Sequence, residues 1–511
     1  MIIGDYITRR AQLTPDKIAL VDTLHEQQPI TYRDWAARIN ATANWLCEEI
    51  GVCKGDRVAV LAMNCTAYLD IWMACGRLGA ILQNLNWRLS PAELRALLQD
   101  AEPSVLIYGP DFRETVAQLR QGVAGIRHWV ALAERAHADD EPFTRRDSYP
   151  ATPPPVVDLV ADDPWVICYT GGTTGLPKGA ILTHGAILAN AGNTNFSWGL
   201  TGDDTAILNA PLFHAGGLNV FTFPLIIAGG TSIVCRGFDP DQVFDLIAGG
   251  GVTLFFGVPT MFLMLQQHPR WAEADFSRLK LVISGGAPCP MPIFEKFWER
   301  GVDFKTGYGL TEAGPNTFWL PPADVRRKPG YVGFPLQFVD VKVLRPDGRE
   351  CAAEEGGELV IRGPHVCAGY WRNPEATAKA IHPIAADPSG RAWLHTGDIA
   401  VRDEEGYYRI VGRLKEMFIS GGENVYPAEI ESVLHAHPAV AEAAVVGVPD
   451  ETWGEVGRAF VVLVAGRQVA AAELAAFCRQ RLAAYKTPKS FVFLEELPKT
   501  GAGKIDKKQL A

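Results

Sequence analysis

The run PWVICYT (164–170) is short, apolar and rich in β-forming residues, and it leads directly into the cluster YTGGTTGLPKG (169–179). A strand ending in such a cluster narrows the choice of fold, because ligands of α/β sheets bind at the carboxyl ends of strands. The eleven residues hold four glycines, three threonines and a lysine. Glycine lets backbone N–H groups approach an anion closely, and hydroxyls add donors. This is the chemistry of a triphosphate cradle, although the spacing differs from G-x-x-x-x-G-K-[ST]. A plain flexible turn is the competing reading of the same composition.

The rest of the chain supports an α/β fold. DRVAVLAMN (56–64) reads as a buried strand, followed by a helical segment over 67–81. LKLVISGG (279–286) and GGELVIRG (356–363) are further strands, and ATPPPVV (151–157) is an extended connection. The apolar run 218–234 is interrupted by Pro224, Gly229 and Gly230. It predicts a buried helix and a strand rather than a membrane span. At 511 residues the chain exceeds one compact domain.

From about 398 the texture changes. DIAVRDEEGYYRIVGR predicts a hairpin turning at Glu404-Glu405-Gly406, and a helix is expected from Pro427. The expected division is 1–412, a short polar bridge at 413–416, and a small α+β unit over 417–511. The large part should be a mixed-sheet α/β body of several subdomains.

Formal net charge is −10, which disfavours nucleic acid as a partner. The deficit lies in the large part, since residues 413–511 carry 12 basic and 12 acidic side chains. Residues 479–511 carry 8 basic against 3 acidic, a local positive end suited to anionic small molecules. Ten cysteines without a C-x-x-C pair, and a first segment without a charged-then-apolar leader pattern, point to a cytoplasmic protein.

Four more segments carry chemistry. GYGLTEAG (307–314) offers a tyrosine able to stack on a base, a hydroxyl at Thr311, and at Glu312 a hard oxygen ligand suited to Mg²⁺. SGGAP (284–288) is glycine-rich at a strand end. LHTGD (394–398) places a carboxylate at a turn, able to take two ribose hydroxyls or simply to cap the turn. PKTGAGKIDKK (498–508) sets a lysine between glycines in a basic tail, which by texture alone is a solvated terminus.

In this order the segments resemble the adenylate-forming superfamily: acyl- and aryl-CoA synthetases, firefly luciferase and peptide-synthetase adenylation domains. The resemblance spans essentially the whole chain. It implies a large body and a small lid, with Mg²⁺, ATP and CoA as the small-molecule requirements. It also implies two half-reactions separated by lid rotation, and a monomer or homodimer. Thr170, Gly171, Gly172, Thr173, Thr174, Gly175 and Lys178 are then expected at the β- and γ-phosphates. The family usually has serine where this chain has Gly171. Gly286, Ala287 and Pro288 should flank adenine, with Tyr308 stacked on it and Gly309 beside it. Thr311 should meet the α-phosphate, Glu312 the metal, and Asp398 and Arg413 the ribose. Lys504 matches the adenylation lysine. Three residues on, Lys507 replaces a common arginine, and little consequence is expected. Lys415 matches the hinge.

The same resemblance assigns the thiol and the acid. Gly421 and Gly422 should line the pantetheine tunnel, and Trp453, Tyr485, Lys489 and Arg88 should contact the CoA nucleotide. His214, Phe256, Gly257, Gly285 and Gly309 should border the acyl group, with Phe255 and Met261 adding apolar wall. Apart from Glu312 these segments hold no carboxylate or Lys/Arg side chain. That fits a medium-chain fatty acid or an aryl acid. Loading of a carrier protein and a luciferase-like oxygenation are the alternative uses of the same adenylate.

Overall fold

The computed structural model describes residues 3–25, 27–133, 137–171, 177–499 and 505–510. Two seven-stranded sheets form most of the large part. One runs Lys305–Thr306, Leu281–Ser284, Leu254–Gly257, Thr205–Leu208, Thr231–Val234, Ile18–Asp22, Gln28–Thr31. The other runs Glu141–Pro142, His128–Ala131, Val105–Tyr108, Arg57–Leu61, Ile81–Asn84, Pro164–Thr170, Lys178–Thr183. Both are parallel except for the last pair at one edge. Parallel strands are covered on both faces, which is why Val105–Tyr108 and Ile81–Asn84 are apolar or buried throughout.

The helices Tyr32–Glu48, Thr66–Leu78 and Thr222–Ala228 share one core with strands of both sheets. Thr66–Leu78 is buried along nearly its whole length and ends at Gly79 in a left-handed cap. Within it, a side chain at Gly76 would meet the Trp165 indole at 2.5 Å, so the glycine admits the ring. The run 218–234 becomes the helix Thr222–Ala228 and the strand Thr231–Val234, as its glycines predict. Among the described residues no helix is long and apolar enough to cross a membrane.

An antiparallel sheet follows: Asp340–Leu344, Gly356–Arg362, Ala392–Arg402 and Ile381–Pro383, with Tyr408–Arg413 on the Ala392–Arg402 strand. After a single 3₁₀ turn at Leu414–Glu416 comes the last sheet. Its strands are Glu423–Val425, Phe418–Ser420, Gly454–Leu463 and Val440–Asp450, with Ser490–Leu494 on Gly454–Leu463. The helices Pro427–His435 and Ala471–Arg479 supply Ile430, Leu434, Leu474 and Cys478 to a core of its own. The fold is therefore α/β with a smaller α+β C-terminal region.

Candidate active site

The predicted segments leave the carboxyl ends of strands in both large sheets. Gly285–Pro288 follows Leu281–Ser284, and 307–312 follows Lys305–Thr306. His214 lies beyond Thr205–Leu208, and Gly171 ends Pro164–Thr170. The loop carrying His214 is fixed by side chains of the other sheet. Asn64 donates to Ala210 O at 2.9 Å and accepts from Leu212 N at 2.9 Å.

Glu312 is the centre of the segments expected at the phosphates. Its carboxylate is buried, and Oε1 accepts hydrogen bonds from Thr170 Oγ1 at 3.1 Å and Tyr370 OH at 3.0 Å. Lys178 begins the strand after the glycine loop, paired with Thr170 across the ladder. Its ammonium stands 5.1 Å from the Tyr370 ring centroid. Tyr370 is missing from the sequence reading, because a tyrosine in GYWRNPEAT has no local mark of function. Its position comes from the backbone: Ala180 bridges Tyr370, and Trp371 N–H donates to Gly179 O at 2.7 Å. Burial and then the Glu312 charge raise the Tyr370 pKa, so the phenol stays a donor. Tyr370→Phe removes one of the two hydroxyls on Glu312. It should lower adenylation about tenfold, the worth of a hydrogen bond to a charged group. An unchanged rate of pyrophosphate exchange would contradict that role.

A buried carboxylate beside the glycine-rich segment has the oxygen-donor chemistry a hard divalent cation needs. Thr311 opens the same short 3₁₀ turn.

The residues expected at adenosine come from distant segments. Tyr308 OH donates to Asp398 Oδ2 at 2.6 Å, and Arg413 Nε lies 2.9 Å from Asp398 Oδ1. Burial, then the Asp398 charge, pushes the Tyr308 phenol well up, so it remains protonated. Gly286, Ala287 and Pro288 are exposed on the adjoining loop, Gly286 with φ near 80°. Gly309 admits no side chain, since a Cβ there would fall 2.1 Å from Pro315 O.

The acyl side differs from expectation at one residue. Phe255 is buried in the core and packs edge-on against Phe262 at 5.4 Å. Phe256 turns the opposite way, because successive residues of a strand alternate between faces. Its ring lies between two glycines: a Cβ on Gly285 would be 3.0 Å from it, and one on Gly216 3.5 Å. Gly257 faces Phe262 and the Met261 sulfur. His214 is half-buried with Phe213 at 4.4 Å.

In the C-terminal region Gly421 N–H donates to Trp453 O at 2.9 Å, and a side chain at Gly421 would meet the Trp453 ring at 2.7 Å. Lys489 Nζ is 5.6 Å from the same ring, which is exposed. Gly422, with φ near 87°, follows directly. Tyr485 is half-buried beside the core of that region. Arg88 belongs to the large body, over Trp87 at 4.3 Å and near Phe213 at 5.7 Å. Gly172, Thr173, Thr174, Gly175 and Lys504 lie outside the described residues.

Lys507 does more than the sequence suggests. Its ammonium sits between Glu416 at 2.9 Å and Glu431 at 2.7 Å. Burial pushes the Glu431 carboxyl up even with Lys507 beside it, while the two carboxylates raise Lys507 against its own desolvation. The segment after Lys504 is thus tied to the turn that holds Lys415.

The chain is similar to known proteins over nearly its whole length. The model of the AMP-binding enzyme family matches residues 7–371, and that of the AMP-binding enzyme C-terminal domain matches 429–504. A feruloyl-CoA synthase of Amycolatopsis sp. is 43% identical over 98% of this chain and 97% of its own. An indoleacetate–CoA ligase of Aromatoleum aromaticum is 38% identical over 99% and 97%. Among solved structures, the o-succinylbenzoate CoA synthetase of Bacillus subtilis in complex with its acyl-adenylate intermediate superposes with a TM-score of 0.86. It shares 32% identity over 99% of this chain and 97% of that one. A buried carboxylate held by Thr170 and Tyr370, an aspartate joined to Tyr308, and two family models covering most of the chain lead to one assignment: the chain belongs to the AMP-binding enzymes, the adenylate-forming superfamily.

Proposed function

We propose that the chain is an AMP-forming acid–CoA ligase acting on an aryl acid. The observation that carries this reading is the Phe256 ring, half-buried with Gly216 and Gly285 close against its edge, in the apolar segment expected to border the acyl group. An aromatic ring beside glycines that carry no side chain offers a flat, apolar face, which suits a planar acid better than a flexible chain. The feruloyl and indoleacetate ligases at 43% and 38% identity support the same substrate class.

In the first half-reaction the acid's carboxylate oxygen attacks the α-phosphorus of ATP, forming the acyl-adenylate and expelling pyrophosphate. The glycine loop with Thr170 and Lys178 holds the phosphates. Tyr308 stacks on adenine, and Asp398 with Arg413 holds the ribose. Glu312 would hold Mg²⁺, which when bound neutralises phosphate charge. Lys504 supplies an ammonium to the charge that develops between carboxylate and phosphate. In the second half-reaction the C-terminal region, residues 417–511, turns about Lys415. The CoA thiolate then attacks the acyl carbonyl, and AMP leaves with the bonding pair. Gly421 and Gly422 leave room for pantetheine, while Trp453, Lys489 and Arg88 meet the nucleotide end.

The test is a panel of acids from acetate to palmitate with benzoates, arylacetates and cinnamates, assayed with ATP and CoA for thioester and AMP. The highest kcat/KM should fall on an aryl acid. A preference for octanoate or longer chains overturns the substrate class. Thioester on a phosphopantetheinylated carrier protein but not on CoA overturns the ligase reading.

A further inference from the structure

The aspartate assigned to the ribose does not sit on a regular strand. Between His395 and Ile399 the register of Ala392–Arg402 against Gly356–Arg362 shifts. Ile399 faces Glu358 and His395 faces Val360, so Thr396, Gly397 and Asp398 bulge opposite the single residue Leu359. Bulges break ladder hydrogen bonds, so their backbone groups need other partners. Here side chains supply them. Glu358 Oε1 accepts from Gly397 N at 3.1 Å, and Gly397 has φ near 67°. Thr396 Oγ1 donates to Leu359 O at 2.7 Å and accepts from Asp398 N at 3.0 Å. The other oxygen of Glu358 is 2.9 Å from His395 Nδ1. The His395 ring is in turn stacked on His382, with centroids 3.9 Å apart and planes 4° apart.

We propose that Glu358, steadied by His395, is a positioning residue for nucleotide recognition: it holds the Gly397 N–H so that the bulge presents Asp398 to the ribose hydroxyls. The inference rests on the reading of Asp398 as the ribose contact. Glu358 touches no substrate itself. Without it the Gly397 N–H loses its partner, the left-handed turn relaxes, and the Asp398 carboxylate leaves its place between Tyr308 and Arg413. A loss confined to the ribose contact has a signature that general loosening lacks. It raises KM for ATP, spares KM for the acid, and disappears when the nucleotide has no hydroxyls to recognise.

The experiment compares ATP with 2′,3′-dideoxyATP in pyrophosphate exchange for the unaltered enzyme, Asp398→Ala, Glu358→Ala, Glu358→Gln and His395→Phe. The unaltered enzyme should prefer ATP. Asp398→Ala should lose the preference. Glu358→Ala should raise KM for ATP about tenfold, the scale of one lost hydrogen bond to a charged group, and should also lose the preference. Glu358→Gln, which keeps a carbonyl oxygen for Gly397, should retain most of it. His395→Phe keeps the stack on His382 but frees Glu358, and should give an intermediate loss; it also keeps the test open if Glu358→Ala does not fold. Full preference for ATP in Glu358→Ala, or in His395→Phe if only that variant folds, overturns the role of Glu358. Full preference in Asp398→Ala overturns the ribose reading, and the inference falls with it for that separate reason.

Discussion

Replacing Lys504 with alanine should lower pyrophosphate exchange about 10²–10³-fold, the range seen when one transition-state donor is removed. Thioester formation from supplied acyl-adenylate should stay close to that of the unaltered enzyme. The reason is where charge develops. Attack of a carboxylate on a phosphate brings two anions together, and an ammonium at that point stabilises the transition state more than the separated reactants. In the second half-reaction the attacked atom is a carbonyl carbon and the requirement for that ammonium is gone. The residues next to Lys504 are well anchored: Ile505 bridges Lys499, Asp506 N–H donates to Pro498 O at 2.8 Å, and Lys507 is clamped by Glu416 and Glu431. Assaying the two half-reactions separately decides the matter. Parallel loss of both would mean that the alanine disturbs the region as a whole, and the catalytic assignment of Lys504 would fail.

The second large effect is expected at Lys415. Leu414–Glu416 is one 3₁₀ turn between Arg413, paired with Asp398, and the strand Phe418–Ser420. A rotation of the C-terminal region must be absorbed by a few backbone dihedrals, and this turn is the shortest link available. Proline fixes φ near −65°. Lys415→Pro should therefore hold one arrangement. Pyrophosphate exchange should survive, while thioester formation falls by about 10²-fold or more, as for a misplaced reacting group. If both half-reactions drop equally, Lys415 is not the hinge.

Much of the fold was legible because its signals are local. Pro164–Thr170 and Leu281–Ser284 read as strands from their apolar runs, since parallel strands buried on both faces have little polar content. The hairpin turning at Gly406 and the helix from Pro427 were legible from turn and cap chemistry. Phe255 and Phe256 show where such reading stops. Both are apolar neighbours, and only the pleat of Leu254–Gly257 sends Phe255 into one core and leaves Phe256 half-buried on the opposite face, beside Gly216 and Gly285.

The amino-acid sequence by itself determined which backbones can approach a phosphate, where strands end in glycine, and which residue types stand at those ends. These properties depend on a residue and its chain neighbours, through φ/ψ freedom, side-chain volume and hydrogen-bonding groups. Tertiary structure decided the partners. Thr170 and Tyr370 meet on one oxygen of Glu312 across 142 and 58 residues of chain, and Tyr308 reaches Asp398 across 90. Lys507 finds Glu416 91 residues away, and Glu358 finds the Gly397 amide across a bulge. A carboxylate's behaviour is set by the donors and charges within a few ångströms of it, and those are brought there by sheet register and packing rather than by sequence proximity.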